Sequence, residues 1–218
     1  MLRTVTIVPA ILSADKQEYK SQIEKINAFT RRVQIDIADG IFTPNQTLDI
    51  THIWWPKTWS ADLHLMVSKP SDYIETILKL HPDLCIFHAE ATEELMPTFK
   101  TIKSAGIRVG LALLPSTYPG SVKQYIDMVD HVLIFAGKLG MQGGQADMMQ
   151  MEKIPLVRNM KPELEIGWDG GVNVSNVRAL AHADLDVINV GSAIAKSQNP
   201  AATFEELVSE IDKNGVML

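Results

Sequence analysis

The sequence predicts an α/β protein folded as a single (β/α)8 TIM barrel, and three observations support this. Short apolar runs rich in β-branched residues alternate with segments of helical apolar spacing, which is typical of β/α units on a parallel sheet. About eight such pairs follow one another within 218 residues. No Gly/Ser-rich linker separates them, so residues 1–218 are expected to form one barrel domain. The alternative is an open doubly wound sheet, which usually has fewer strands.

The elements follow in chain order from these patterns. A first apolar run at 5–12 predicts a strand, and after Asp15 the residues Tyr19, Ile23 and Ile26 share one face of a helix. Further strands are predicted at 33–37, 63–67, 84–87, 109–113, 132–135, 164–168 and 187–190, with helical stripes at 74–78, 95–102, 122–129, 148–160, 174–180 and 204–211. We also predict a connecting helix in the Trp-rich segment 54–59, and a break near Pro155 in the helix at 148–160.

Composition and charge exclude several classes of function. Hydrophobic residues make up 46% and charged residues 21% of the chain, which is typical of a globular protein with a large core. The net charge of −6 gives no overall positive field, so neither nucleic acid nor a membrane is expected as a partner. No apolar run is long enough to span a membrane and the N-terminus does not resemble a signal peptide, so we expect a soluble, cytoplasmic protein. Assembly into a homo-oligomer remains open.

Candidate site residues lie at the carboxyl ends of the predicted strands, where barrel active sites are built. They are Asp36, Asp39, His64, His88, Glu90 and Asp169. Asp36 lies inside a buried strand, so its carboxylate needs a partner. Two carboxylates and an imidazole from separate strands could bind a divalent metal or act as an acid/base pair. A lone strand histidine is more often a core residue, however, and Asp39-Gly40 alone usually marks a turn.

Glycines follow the last three predicted strands, where barrels often bind phosphate through backbone N–H groups. The segments are Met-Gln-Gly-Gly-Gln at 141–145, Asp169-Gly170-Gly171 and Gly191-Ser192. Other polar residues are interpreted as structural. Cys85 is expected to be an inert core thiol, and His52, His81, His131 and His182 are expected to be solvated.

The ordered motifs resemble the ribulose-phosphate 3-epimerase family over nearly the whole chain. They are Ile-Val-Pro-Ala-Ile-Leu-Ser-Ala-Asp (7–15), Ile-Asp-Ile-Ala-Asp-Gly-Ile-Phe-Thr-Pro-Asn (35–45), His-Leu-Met-Val (64–67), Phe-His-Ala-Glu-Ala-Thr (87–92), Gly-Gly-Gln (143–145), Asp-Gly-Gly-Val (169–172) and Gly-Ser-Ala-Ile (191–194). The resemblance implies a (β/α)8 isomerase of carbohydrate metabolism. Such an enzyme interconverts D-ribulose 5-phosphate and D-xylulose 5-phosphate in the pentose phosphate pathway.

The resemblance also assigns roles to residues of this sequence. It implies that Asp36 and Asp169 transfer protons on opposite faces of the sugar, and that Asp36, His64 and Asp169 bind a divalent metal (Zn, Fe, Mn or Co) that stabilises the enediolate. The substrate contacts that it implies are His64, Met66, Gly143, Gly144, Gly170, Gly171, Gly191 and Ser192.

The sequence departs from the family pattern at the reaction centre. Gln34 stands where the family has its first metal-binding histidine, Ala10 where it has a serine, and Ala38 where it has a methionine. The glycine-rich loop is also one residue longer, with Leu139 in place of a proline. Two alternatives to the family reaction therefore stay open. One is an epimerase of a different ketose phosphate, and the other is a catalytically impaired member that binds a sugar phosphate.

Overall fold

A computed structural model describes residues 4–212, and it contains eight parallel strands. The strands are β1 (Thr6–Ile11), β2 (Arg32–Ala38), β3 (Ser60–Met66), β4 (Leu84–His88), β5 (Arg108–Leu113), β6 (His131–Phe135), β7 (Glu165–Asp169) and β8 (Val187–Val190). Each strand pairs with its neighbours in sequence order, and β1 closes on β8. The predicted (β/α)8 barrel is therefore confirmed, and the open sheet is excluded.

Eight α-helices surround the strands within residues 4–212. They are α1 (Lys16–Ile26), α2 (Ile74–Leu80), α3 (Met96–Ser104), α4 (Lys123–Ile126), α5 (Lys153–Met160), α6 (Val177–Ala181), α7 (Ser192–Ala195) and α8 (Pro200–Asp212). Asp15 caps α1 by accepting hydrogen bonds from the backbone N–H groups of the two residues Gln17 and Glu18. The predicted face of α1 is buried against the sheet, as its apolar spacing requires.

Two predicted helices differ from the structure. Between β2 and β3 there is no α-helix but a single 3-10 turn, Ile50–His52. The segment contains Pro56, whose ring disfavours the helical conformation at the residue before it. The segment 148–160 divides into a 3-10 turn (Met148–Glu152) and α5. The break precedes Pro155, the third residue of α5, where a missing N–H costs no intrahelical hydrogen bond.

The amino-terminal end of the barrel interior holds a cluster of charged residues. Arg32 donates to Asp62 at 2.8 Å and to Glu165 at 3.0 and 3.1 Å. Arg108 also donates to Glu165, at 2.7 Å. The carboxylates of Asp62 and Glu165 therefore both have positively charged partners, which they need because a charge removed from water is costly.

His131 belongs to the same cluster, so the prediction that it is solvated is wrong. Its side chain is 1% exposed, and its Nδ1 lies 2.9 Å from Glu165 Oε2. Glycines on both neighbouring strands provide the room: a Cβ on Gly167 would lie 2.8 Å from the imidazole, and one on Gly110 would lie 3.3 Å from it. The sequence signal was the pair of glycines inside predicted strands.

An apolar layer separates this charged cluster from the carboxyl-terminal end of the barrel. It consists of Leu84, Ile86, Ala112 and Leu133, all of which are buried. The larger core lies outside the barrel, between the strands and the helices. Cys85 belongs to that outer core, and burial raises the pKa of its thiol, as expected for an unreactive cysteine.

None of the helices within residues 4–212 has the length and apolarity to cross a bilayer.

Candidate active site

The carboxyl ends of β2, β3 and β7 bring together three of the residues singled out in the sequence. Asp36 lies opposite His64 in the register of β2 and β3. His64 Nδ1 is 2.9 Å from Asp36 Oδ1 and 3.6 Å from Asp169 Oδ2. His64 is fully buried, and the two carboxylates are only 8% and 14% exposed. The site is thus a nearly water-free cluster of two acids and one imidazole.

Gln34 joins the two acids of this cluster. Its Nε2 donates to Asp36 Oδ1 at 2.9 Å and to Asp169 Oδ2 at 2.7 Å. Its Oε1 is buried and has no hydrogen-bond partner among residues 4–212. The amide therefore reduces the repulsion between two carboxylates that burial would otherwise make severe.

The electrostatics of the cluster favour holding a proton near neutral pH. Burial, and next the charge of Asp36, raise the pKa of Asp169 to about 6. Burial alone would lower the pKa of His64, but its hydrogen bond to Asp36 and the charges of Asp36 and Asp169 raise it. A buried carboxyl whose pKa lies close to neutral pH can hold a proton and act as a general acid.

His88 and Glu90 support His64 and lie outside the pocket lining. His64 Nε2 is 2.9 Å from His88 Nε2, and His88 Nδ1 is 3.3 Å from Glu90 Oε2. Burial is the main cause that lowers the pKa of His88 to about 4, so its ring is neutral and can accept a hydrogen bond from the N–H group at His64 Nε2. Glu90 accepts hydrogen bonds from the Leu114 backbone and the Thr117 hydroxyl. This chain fixes the orientation of the His64 ring.

Asp39 is held in a turn. Its Oδ1 accepts hydrogen bonds from the backbone N–H groups of Ile41 and Phe42, both at 2.8 Å, and its Oδ2 accepts one from Ser68 at 2.6 Å. The structural interpretation of Asp39-Gly40 therefore accounts for this carboxylate.

The donor set fits a divalent ion in part. Ligand atoms around a tetrahedral ion stand roughly 3.4 Å apart. His64 Nδ1 is 2.9 and 3.6 Å from the two carboxylate oxygens, which is close to that spacing. Gln34 offers the site a donor, Nε2, instead of a ligand atom. Its unpartnered Oε1 would face the carboxylates only after half a turn of the amide, which a cation between them would favour.

A pocket with about 500 Å³ of empty volume opens above these three side chains. Of the residues singled out in the sequence, Asp36, His64, Met66, Gly143, Asp169, Gly170, Gly171, Gly191 and Ser192 line it. Gly144 is not part of this lining; its φ of +105° instead serves the turn of the loop after β6. The structure therefore brings the acid cluster and the three glycine segments to one cavity.

Gly170 and Gly171 are required by the close approach of two loops. Both have positive φ, of +115° and +68°. A Cβ on Gly170 would overlap the backbone of Gly137, and one on Gly171 would overlap the backbone at Ala146. The loop after β7 therefore packs directly against the loop after β6, and the pocket wall is built from this contact.

Sequence reasoning missed three polar residues at the pocket. The Nζ atom of Lys196 lies beside Ser192, 3.6 Å from the position that a Cβ on Gly143 would occupy. No acidic side chain in residues 4–212 forms an ion pair with Lys196. Gln142 donates from Nε2 to the Ala10 carbonyl at 3.2 Å. Asn189 lines the pocket from β8. Asn189 had a usable signal, a polar residue within an apolar strand, which is the signal that identified Asp36.

Comparison with known proteins agrees with this geometry. A family model described as the ribulose-phosphate 3 epimerase family matches residues 6–195. The chain belongs to the ribulose-phosphate 3-epimerase family. A ribulose-phosphate 3-epimerase from Bacillus subtilis is 31% identical over 93% of this chain and 98% of its own length. One from Treponema pallidum is 31% identical over 88% and 92%. The predicted resemblance is confirmed, and the chain is an isomerase of the epimerase class.

Solved structures show the same fold at much lower identity. A 3-hexulose-6-phosphate synthase from Salmonella typhimurium superposes with a TM-score of 0.75 over 95% of this chain and 98% of that one, at 14% identity. The structure places Ala10 and Gln34 opposite each other in the register of β1 and β2. Two of the three positions that depart from the expected family pattern are therefore neighbours.

Proposed function

We propose that this protein interconverts D-ribulose 5-phosphate and D-xylulose 5-phosphate by proton transfer at C3, with Asp36 and Asp169 as the two acid/base groups. The observation that carries the proposal is the convergence of two buried carboxylates on one amide nitrogen, at 2.9 and 2.7 Å, at the floor of a pocket with glycine loops on its rim. The family relatives named as ribulose-phosphate 3-epimerases support the choice of substrate.

The two acids would work in opposite protonation states. The ionised carboxylate removes the C3 proton on one face of the sugar, and the protonated one returns a proton to the other face, so the protein gains and loses no net proton. The pKa of Asp169, raised to about 6 by burial and then by Asp36, keeps a proton available close to neutral pH. The reverse reaction exchanges the two roles.

A divalent metal (Zn, Fe, Mn or Co) would be held by Asp36, His64 and Asp169. When bound, it supplies Lewis-acid stabilisation of the charge that develops as the C3 proton leaves. His88 and Glu90 hold the His64 ring in the orientation that this role needs. Gln34, with its amide oxygen turned to the site, would complete an oxygen-rich set that suits manganese better than zinc.

The phosphate group would lie against the glycine loops. Positive φ at Gly143 and Gly171 exposes backbone there, and Ser192 opens α7 at the rim of the pocket. The ammonium of Lys196 is close to Gly143 and Ser192 and adds positive charge to a chain of net charge −6. We assign substrate contacts to His64, Met66, Gly143, Gly144, Gly170, Gly171, Gly191, Ser192 and Lys196.

A second candidate is an epimerase of another ketose phosphate. Ala10 and Ala38 are smaller than the residues of the family pattern and leave space at the acid cluster, while Gln142 crosses from the longer loop to the Ala10 carbonyl at 3.2 Å. A third candidate, a sugar-phosphate-binding protein without turnover, is favoured by Gln34 alone.

We further propose that residues 1–218 are one domain, that the protein is cytoplasmic, and that its partner is a small sugar phosphate.

The deciding experiment follows deuterium incorporation at C3 of D-ribulose 5-phosphate by NMR in heavy water. The protein is stripped of metal and then given zinc or manganese in separate samples. Incorporation together with the appearance of xylulose 5-phosphate is expected. If the sugar phosphate binds but no deuterium enters under any condition, epimerisation of D-ribulose 5-phosphate is ruled out. An epimerase of a different ketose phosphate and a binding protein without turnover are then the two alternatives.

A further inference from the structure

We propose that Asn189 is a substrate-positioning residue, accepting a hydrogen bond from the sugar hydroxyl that lies between the reacting carbon and the phosphate. This inference rests on the proposed function, and it adds to that function the residue that recognises one particular hydroxyl.

The register of β8 places Asn189 beside the acid cluster. Asn189 pairs with Asp169 on β7 and with Val8 on β1. Paired residues of parallel strands project to the same face of a sheet, and Asp169 and Asn189 both line the pocket. The amide of Asn189 therefore shares the barrel interior with the proposed proton-transfer acid.

The same strand leads from Asn189 to the glycine rim. Gly191 lies two residues further on, hence on the same face one step nearer the loops, and Ser192 follows it. Gln142 covers Gly191, since a Cβ built there would lie 3.2 Å from the Gln142 amide nitrogen. Asn189 therefore lies beside the proposed proton-transfer acid and two residues before the glycine rim proposed to hold the phosphate.

The oxygen of this amide lacks a partner. Asn189 is 2% exposed, and its Oδ1 has no hydrogen-bond donor within residues 4–212. Buried polar atoms are nearly always satisfied in native proteins, so a lone acceptor in a pocket lining indicates that a bound molecule supplies the donor. A ketone oxygen and a fully ionised phosphate have no proton to donate to this acceptor. A hydroxyl of the sugar does, and it suits the position.

The position of Asn189 selects one hydroxyl of a ketopentose 5-phosphate. Proton transfer occurs at C3 and the phosphate is on C5, so the hydroxyl between them is on C4. A contact at this hydroxyl would hold C3 at a fixed distance from the phosphate and would discriminate against sugars of the opposite C4 configuration.

Binding of two unreactive polyols tests this assignment. D-Ribitol 5-phosphate and its 4-deoxy analogue cannot be epimerised, so calorimetry reports binding alone. The wild-type protein is expected to bind the 4-deoxy analogue about ten-fold more weakly than the parent. Asn189→Leu is expected to bind both polyols with nearly equal affinity, because the partner of the hydroxyl has been removed. Asn189→Ala removes the same oxygen with less volume and gives the same test if the leucine variant does not fold.

Gln150→Leu is the matched control. Gln150 is a buried amide, 8% exposed, whose Oε1 also lacks a partner, but it lies outside the pocket lining. This variant should keep the ten-fold discrimination of the wild type. Equal loss of affinity for both polyols in Asn189→Leu would overturn the role of Asn189 and leave the proposed function intact. Failure of the wild-type protein to bind D-ribitol 5-phosphate would overturn the sugar-phosphate function itself.

Discussion

Gln34 is the residue at which the proposed metal site departs from the family pattern, so metal affinity is expected to be sensitive to its replacement. Its amide hydrogens stand between Asp36 and Asp169, where the family pattern has an imidazole. An ion entering this position must displace two hydrogen bonds to carboxylates, and it gains at most an amide oxygen, a weaker zinc ligand than imidazole.

Gln34→His should therefore tighten zinc binding, by roughly ten-fold or more, since it restores a nitrogen ligand and removes the competing hydrogen bonds. Competition with a zinc-sensitive dye gives the dissociation constant. His64→Asn is the opposite control and should weaken binding, because it removes the ring nitrogen that faces both acids. An unchanged constant in Gln34→His would count against the assigned ligand set.

Single substitutions can separate the proposed role of the two carboxylates in proton transfer from the binding of the sugar phosphate. Asp36→Asn and Asp169→Asn keep the shape of each side chain but cannot accept a proton from carbon, so each should reduce C3 proton exchange by at least about 100-fold. Affinity for D-ribitol 5-phosphate should remain measurable, because the glycine loops are untouched. Near-normal exchange in either variant would remove that residue from the proton-transfer pair.

Residue-level prediction from the sequence succeeded where a charged residue interrupted an apolar strand. Asp36 and His64 stood out for this reason, and their burial follows from strand position. His131 was misjudged, because its burial depends on Gly110 and Gly167, which are far from it in sequence. Lys196 could not be identified from the sequence, because its proximity to Gly143 depends on the position of the loop after β6 in the folded protein.

At the scale of elements, the loops after β6 and β7 act as one unit. The Ala136 N–H donates to the Asp169 carbonyl at 2.7 Å, and Gly170 approaches Gly137 too closely for a side chain. Alternation of strands and helices predicted nearly every element, because local spacing encodes it. The connecting helix predicted in the Trp-rich segment 54–59 is absent, and the short helix α7 was not predicted.

Gly170→Ala should disturb this unit. The new Cβ would overlap the Gly137 backbone at a φ of +115°, so we expect a loss of about 1–3 kcal/mol in the free energy of unfolding, with weaker sugar-phosphate binding as the loops separate. Urea denaturation and calorimetry measure the two effects. Gly106→Ala is matched in strain, with φ +80° but nothing within 4 Å, and should cost stability without weakening binding. Unaltered binding in Gly170→Ala would show that the loop contact does not shape the pocket.

At the scale of the whole molecule, barrel closure at the amino-terminal end depends on Glu165, which joins three strands. It contacts Arg32 on β2, Arg108 on β5 and His131 on β6. Burial opposes its ionisation, but hydrogen bonds from His131 and Arg32 hold the pKa of Glu165 well below its usual range. The ionised carboxylate therefore stabilises the fold above the ordinary pKa of a glutamate, and this contribution is lost as the pH falls.

Glu165→Gln should consequently reduce the free energy of unfolding by about 2 kcal/mol at pH 7. The difference should be smaller at pH 3, because the unfolded wild-type chain binds a proton at Glu165 there while the folded protein keeps this carboxylate ionised. Urea titrations at the two pH values measure it. Glu75→Gln, which removes only an exposed pair with Lys79, should have no measurable effect. An equal deficit at both pH values would show that the charge of Glu165 does not contribute.

An apolar layer in the barrel interior separates the charged cluster at the amino-terminal end from the acid cluster at the carboxyl-terminal end. It consists of Leu84, Ile86, Ala112 and Leu133. Besides burial, the charged groups that act most on the pKa of Glu165 are His131 and Arg32, at its own end, and those that act most on the pKa of Asp169 are Asp36 and His64, at the other. The strongest electrostatic influences on each acid therefore come from its own end of the barrel. Substitutions at the amino-terminal end could then change how the fold tolerates acid while leaving the pH profile of turnover where it is, so the two properties are free to evolve separately.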